Sequence, residues 1–224
     1  MPDALAKLTA ALGAHGLAVI GALHPTAGDG DGDAAPEGTG TLVLAGPDGP
    51  AMWAAFRAAP EAQDGAPNPL DRWSRRVIGA IAAGAGGTAL FPFEGPPFHP
   101  FLRWARRGAP VWPSRLGLLI HSEHGLWVAF RGAIALAERV DLGNPAPAGE
   151  RPCDPCPAPC LSACPVDAFT AAGFDAGRCR AHLAAPEGRP CREGGCLARR
   201  ACPVGRAFAH APGQAAFHIA AFAG

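Results

Sequence analysis

The sequence predicts an α+β chain in two domains, 1–148 and 149–224, the second small and rich in cysteine. Three observations carry that expectation. Short apolar runs that read as strands stand among stretches with helical spacing. All eight cysteines fall between Cys153 and Cys202. Asn144-Pro-Ala-Pro-Ala-Gly149 is the best linker in the chain and marks the boundary.

Composition narrows the classes. At 224 residues the chain is long enough to bury a sizeable core, and its 30 Gly and 25 Pro imply many turns and short elements. Nineteen basic residues balance nineteen acidic ones, so nothing global points to nucleic acid or to an acidic membrane surface. No apolar run approaches the ~18 residues that a membrane span needs. The start, Met1-Pro-Asp-Ala-Leu-Ala-Lys7, lacks a basic segment followed by an apolar one, and a soluble cytoplasmic protein is expected. In reducing cytosol, clustered cysteines are read as metal ligands before disulfides.

Taken in order, Asp3 to Gly13 places Leu5, Leu8 and Leu12 on one helical face, with Gly16 as the stop. Leu17 to Ile20 is a short strand. Thr26 to Gly40 is a Gly- and Asp-rich loop. Its Asp29-Gly-Asp-Gly-Asp33 alternates like a calcium loop, but Gly40 stands where position twelve needs Glu, and a plain solvated loop is expected. Thr41 to Ala45 is a buried strand, and a helix over Ala51 to Ala59 carries Trp53 and Phe56. Asn68-Pro69 provides a cap and a first-turn proline. The helix that follows has Leu70, Trp73, Val77, Ile78 and Ile81 on one face and Arg72, Arg75 and Arg76 on a solvated one.

Thr88 to Phe93 reads as extended. Phe91-Pro-Phe-Glu-Gly-Pro-Pro-Phe98 is barred from a regular helix by its prolines; it either lines a pocket for a flat ligand or packs its rings into the core. His99 to Arg107 is a short helix. Leu116 to His121 and Leu126 to Leu136 then form a hairpin, which sets Trp127 and Arg131 on one face as a cation–π pair or an anion clamp. A short helix at Arg206 to His210 follows the last cysteine, and Phe208, Phe217 and Phe222 fold back on either domain.

The cysteines read Cys153-x2-Cys156-x3-Cys160-x3-Cys164-Pro165, then Cys179, Cys191, Cys196 and Cys202-Pro203. Two runs that end in Cys-Pro are the pattern of a ferredoxin-type module with two [4Fe–4S] clusters, in which the cysteine before each proline ligates the cluster of the other run. Cys153, Cys156, Cys160 and Cys202 then hold one cluster, and Cys164, Cys179, Cys191 and Cys196 the other. The gaps depart from the usual C-x2-C-x2-C-x3-C-P spacing, and structural zinc on four cysteines is the competing reading. Between residues 151 and 206, eight Arg stand against five acids. Each oxidised cluster with four thiolates carries a net charge of about −2, which that basic excess offsets.

Two resemblances extend this reading. Over residues 151–206 the chain resembles the iron–sulfur half of the epoxyqueuosine reductase family, where a Cys run ending in Cys-Pro precedes a lone Cys after Arg, here Arg178-Cys179, and three more ending in Cys-Pro. Ile120-His-Ser-Glu-His-Gly-Leu-Trp-Val-Ala-Phe-Arg-Gly132 is similar to the I-H-x-x-x-G-x-W-x-A-x-R-G stretch of the cobalamin-processing chaperone family, which decyanates and dealkylates corrinoids. The resemblance implies a nitroreductase-like first domain holding a corrinoid, or a flavin, with His121, Trp127 and Arg131 as its candidate ligands, followed by a ferredoxin-like second domain. The chaperone's H-x-x-G-x-x-x-G loop and the reductase's catalytic segment and helical repeat have no counterpart here, so tRNA modification is not expected.

The leading functional expectation is an iron–sulfur oxidoreductase of the cobalamin-reductase kind, passing single electrons from a redox partner protein through two clusters to that cofactor. The alternatives are an electron carrier or adaptor with no substrate of its own, and an iron–sulfur sensor.

Overall fold

The helical face beginning at Leu70 is realised as a 16-residue helix that buries Leu70, Trp73, Val77, Ile78 and Ala82. The structure is a computed structural model and describes residues 4–26, 34–143 and 149–224. The acidic run Asp29 to Asp33 and linker residues 144–148 lie outside the described residues. The chain is mixed α+β with small sheets. No described helix is long and apolar enough to cross a membrane.

Two compact units form, Met1–Pro110 with Ala129–Ala148, and Val111–Val128 with Gly149–Gly224. The chain is therefore not divided by a single cut at 148/149: residues 111–128 belong with the cysteine-bearing unit. In chain order the first unit runs α1 (Ala4–Gly13), β1 (Leu17–Leu23), β2 (Thr41–Pro47), α2 (Pro50–Arg57), α3 (Pro69–Gly84), β3 (Thr88–Leu90) and α4 (Phe101–Gly108). The chain passes through β4 (Val111–Pro113) and β5 (Leu119–His121) of the second unit and returns as β6 (Gly132–Leu136). The rest of the second unit is α5 (Pro159–Ser162), β7 (Phe169–Thr170), β8 (Gly173–Phe174), α6 (Ala176–Ala184), α7 (Arg189–Gly194), α8 (Leu197–Arg200) and α9 (Pro212–Ala223).

The first unit is built on an antiparallel sheet of order β1-β2-β6-β3, with Thr41 opposite Leu136 and Ala45 opposite Gly132. Every residue of β2 and β6 is buried, which explains why their sequences run apolar without alternation. Thr41 is tolerated there because its hydroxyl donates to the Glu138 carbonyl at 2.8 Å and accepts from the Val140 N–H at 2.9 Å. Helix α3 packs on β3 and β6, and Phe56 of α2 meets the buried Trp73 edge-on at 6.1 Å. Asn68 precedes α3 in the left-handed conformation, with φ 52°, and its side chain makes no capping bond; Pro69 alone supplies the expected start chemistry. The rings of 91–98 divide: Phe91 is buried and stacks on Phe93 at 5.2 Å, while Phe98 is 63% exposed.

The expected hairpin does not form. Strand β5 pairs with β4, and β6 pairs with β2 and β3. Between them His121 and Gly125 exchange backbone bonds of 2.9 and 3.0 Å around a tight turn, and Trp127 N–H bonds the His124 carbonyl at 3.0 Å. The alternation over 126–131 was therefore not a strand signal. Leu126 belongs to a core with Leu116, Ile120, Cys160, Ala198 and Cys202 in the second unit, whereas Ala133 and Ile134 are buried in β6 of the first. A run with side chains in two cores does not obey the period of one sheet. After Cys202, the expected helix at 206–210 is a single 3₁₀ turn, Arg206–Phe208, and the longer α9 packs on α7.

Candidate metal centre

Several of the cysteines stand in or beside short helical elements, two of which carry proline in their first turn. Pro159 opens the one-turn α5 that carries Cys160. Helices α6 and α7 carry Cys179 and Cys191, and Cys196 is the residue before α8. Pro165 and Pro203 follow Cys164 and Cys202 and turn the chain away. All eight cysteines are free thiols in the structure.

The eight sort into two sets of four. Cys153, Cys156, Cys160 and Cys202 line one cavity of about 20 Å³; Cys164, Cys179, Cys191 and Cys196 line another of about 470 Å³. The electrostatics separate along the same boundary. Burial raises the Cys160 thiol above its ordinary pKa, with Cys202, Cys153 and Cys156 adding to the rise. Burial likewise raises Cys202, helped by Cys153 and Cys156. Cys179 is raised by burial and then by Cys196, Cys164 and Cys191, and Cys191 by burial and then by Cys196 and Cys164. Among the cysteines, each of these four thiols is raised only by members of its own quartet. Neighbouring thiols that disfavour one another's charged form ionise together only beside compensating positive charge.

Among the described residues, no group of three or more His, Cys, Asp or Glu stands close enough together to hold a metal ion. Backbone N–H groups already face the sulfurs: Ala158 donates to Cys156 Sγ at 3.4 Å and Ala168 to Cys164 Sγ at 3.3 Å, while the Val204 and Leu126 backbones favour the Cys202 thiolate.

Positive charge at the two quartets differs. At the first, Arg115 is exposed and donates to the Cys153 carbonyl at 2.9 Å. At the second, Arg199 lines the cavity, lies 4.5 Å over the Trp127 ring, and donates from Nε to the Leu126 carbonyl at 2.8 Å. Burial pushes its pKa down to about 10, and Cys196 opposes that fall. No carboxylate partners it among the described residues. Beyond Trp127, the His210 ring stands at 4.9 Å and His218 a further 4.9 Å away. Burial, with Arg199 and His218 adding, pushes His210 down to about 3 and keeps it neutral.

The three residues expected to hold a corrinoid or flavin do not share a strand. Arg131 lies in the first unit, where Nε donates to Ser74 Oγ at 2.9 Å and a terminal nitrogen to Asp71 Oδ1 at 2.6 Å, tying the approach to β6 onto α3. His121, in the second unit, is buried, and its Nδ1 accepts from the N–H groups of Glu123 and His124 at 3.0 and 3.2 Å. Trp127 is buried between Arg199 and His210. The 120–132 stretch thus meets the cysteine region through its backbone, Leu126 serving both Cys202 and Arg199. Gly125 and Gly205 make this docking close: both have positive φ, and a Cβ on either would collide with the other segment's backbone.

Sequence reading missed Arg199, His210 and His218. Arg199 was counted only as one of eight basic residues, and nothing in its neighbours marks it as buried. Compared with family models, curated proteins and solved structures, the chain has no match.

Proposed function

We propose that the chain is an iron–sulfur redox protein that passes single electrons through two [4Fe–4S] clusters, one on each quartet. The observation that supports this most is the sorting of eight thiols into fours, with Cys202 joining the first run's cysteines and Cys164 the second's. That crossing is the ligand exchange of a two-cluster ferredoxin-type module. Thiolates are soft ligands suited to iron–sulfur clusters, and the surrounding backbone N–H groups favour their charged form.

The acceptor follows from the 120–132 stretch and is a corrinoid or a flavin on a nitroreductase-like first unit. In that unit, a cleft of about 890 Å³ lined by Lys7, Leu8, Ile81, Gly84, Leu136 and Glu138 has the volume of a cofactor site. His121, Trp127 and Arg131 are not part of its lining, and a carrier or adaptor with a protein acceptor remains the second reading.

Iron and acid-labile sulfide in anaerobically purified protein test the proposal. About eight of each per chain are expected, with absorption near ~400 nm that dithionite bleaches. Cys153→Ser and Cys191→Ser should each lose about half of both, and each should leave a different electron paramagnetic resonance signal. Stoichiometric zinc without sulfide would end the cluster reading, and loss of the same signal in both variants would end the partition.

A further inference from the structure

The two quartets use the same four-thiol set but enclose very different spaces, about 20 Å³ and about 470 Å³. If the second quartet carries a cluster, as proposed above, the cluster sits at its four sulfurs, and the cavity extends past them to Phe169, Phe174, Ile219 and Phe222. Its walls beyond the sulfurs are apolar and aromatic: Phe169 and Phe174 stack at 5.0 Å, Phe222 stands 6.0 Å from Phe174, and Leu118 and Ile219 complete the surface. Leu118 and Phe174 are each 45% exposed, so two large apolar side chains of the lining also meet water. The polar groups of the lining include Arg199 and His182. Arg199 spends only Nε on the protein among the described residues, which leaves its terminal N–H groups as donors.

We propose that this cavity binds a planar aromatic molecule bearing a carbonyl or anionic oxygen, the chemical class of quinones, with its rings among Phe169, Phe174 and Phe222 and its oxygen on Arg199. Flat rings suit walls of stacked phenylalanines, and an apolar cavity with a few placed donors is the usual form of a small-molecule site. The volume lies within the range of such sites.

Equilibrium dialysis of menadione, a naphthoquinone, against the full-length cluster-loaded chain tests this. One site of roughly micromolar affinity is expected. Leu118→Trp, which enlarges a side chain of the lining, should weaken binding at least about tenfold, and Phe174→Ala, which removes an exposed ring without opening a buried core, about fivefold. Iron and sulfide are measured on every sample, so that failure of the clusters and failure of the site are read separately. If the chain carries no clusters but menadione still binds and Leu118→Trp still weakens it, the cluster reading falls and this site stands. No binding up to about 100 µM in a chain with full iron, or equal binding in both variants, overturns the site.

Discussion

The two units treat their arginines differently. In the first, guanidinium groups meet carboxylates: Arg72 with Asp64, Arg75 with Glu94, Arg76 with Glu61 and Arg131 with Asp71. In the second they mostly meet backbone carbonyls. Arg115 bonds Cys153, Arg151 bonds Pro113, Arg192 bonds Leu183 and Ala185, Arg199 bonds Leu126, and Arg200 bonds Gly194. A carbonyl satisfies the donors and ties loops together but leaves the positive charge standing. The second unit is thus held by short elements stapled through arginine, with charge to spare beside two sets of thiols that lack it. Two anionic clusters would complete that balance, whereas the first unit is complete in itself.

Removing charge should therefore act as a stability change in one unit and as a redox change in the other. The largest effect is expected at Arg131. Its side chain is 15% exposed, and burial lowers its pKa against the opposing pull of Asp71. Arg131→Met strands Asp71, while Ser74 Oγ keeps its bond to the Leu70 carbonyl. Because Asp71 is about one-third exposed, the cost should be about 2 kcal/mol, below the range for a fully buried pair. Denaturant unfolding should show a lower midpoint for the first unit, with iron and sulfide unchanged. Equal destabilisation of the cysteine-bearing unit would erase the contrast.

A smaller effect, of a different kind, is expected at Arg199. With no carboxylate to strand, Arg199→Met should cost little stability. Losing a desolvated positive charge near Cys196 should lower the reduction potential of the cluster proposed for the second quartet by on the order of 60 mV, about 1.4 kcal/mol for one electron. The first cluster, whose nearby Arg115 is exposed and screened, should hold its potential. Spectroscopic redox titration reads both. Two clusters shifting together would mean that Arg199 acts on the unit's fold and not on one site.

How far these features were legible in the sequence depends on the range of the signal. The grouping of the cysteines was readable because Cys-Pro endings are local chemistry with a known topological consequence, and two cavities divide the cysteines into the same fours; that they ligate clusters is the proposal. Strand β2 and helix α3 were readable because one core dictates each period. The 126–131 run was misread because Leu126 and Ala133 answer to different cores, and no pattern within the run records the change. Arg199 was illegible for a related reason. Whether an arginine in Leu197–Arg200 is buried or solvated depends on a tryptophan seventy-two positions earlier, at Trp127.

The smallest expected effect returns to the first unit and concerns pH. The Glu61 carboxylate accepts from Arg76 at 2.5 and 2.9 Å, and that bond holds its pKa below the ordinary 4.5 against burial, which acts to raise it. A carboxyl with a depressed folded-state pKa stabilises fully above its unfolded value and loses the contribution as pH falls through the folded one. The first unit should therefore weaken as pH drops below about 4.5. The half-exposed Arg76 is screened by water, so the change should stay below about 1 kcal/mol. Glu61→Gln should flatten this acid limb while leaving stability at pH 7 slightly lower. Ion pairs of the second unit such as Arg178 with Asp175 and Arg189 with Glu193 are exposed and worth little. If that unit carries clusters as proposed, its main response in the same range should be thiolate protonation and release of iron. Mild acid should therefore bleach the ~400 nm band in parent and Glu61→Gln alike. If Glu61→Gln also shifted the pH of bleaching, the two units would not be separate in their charge balance, and the contrast drawn from their arginines would fail.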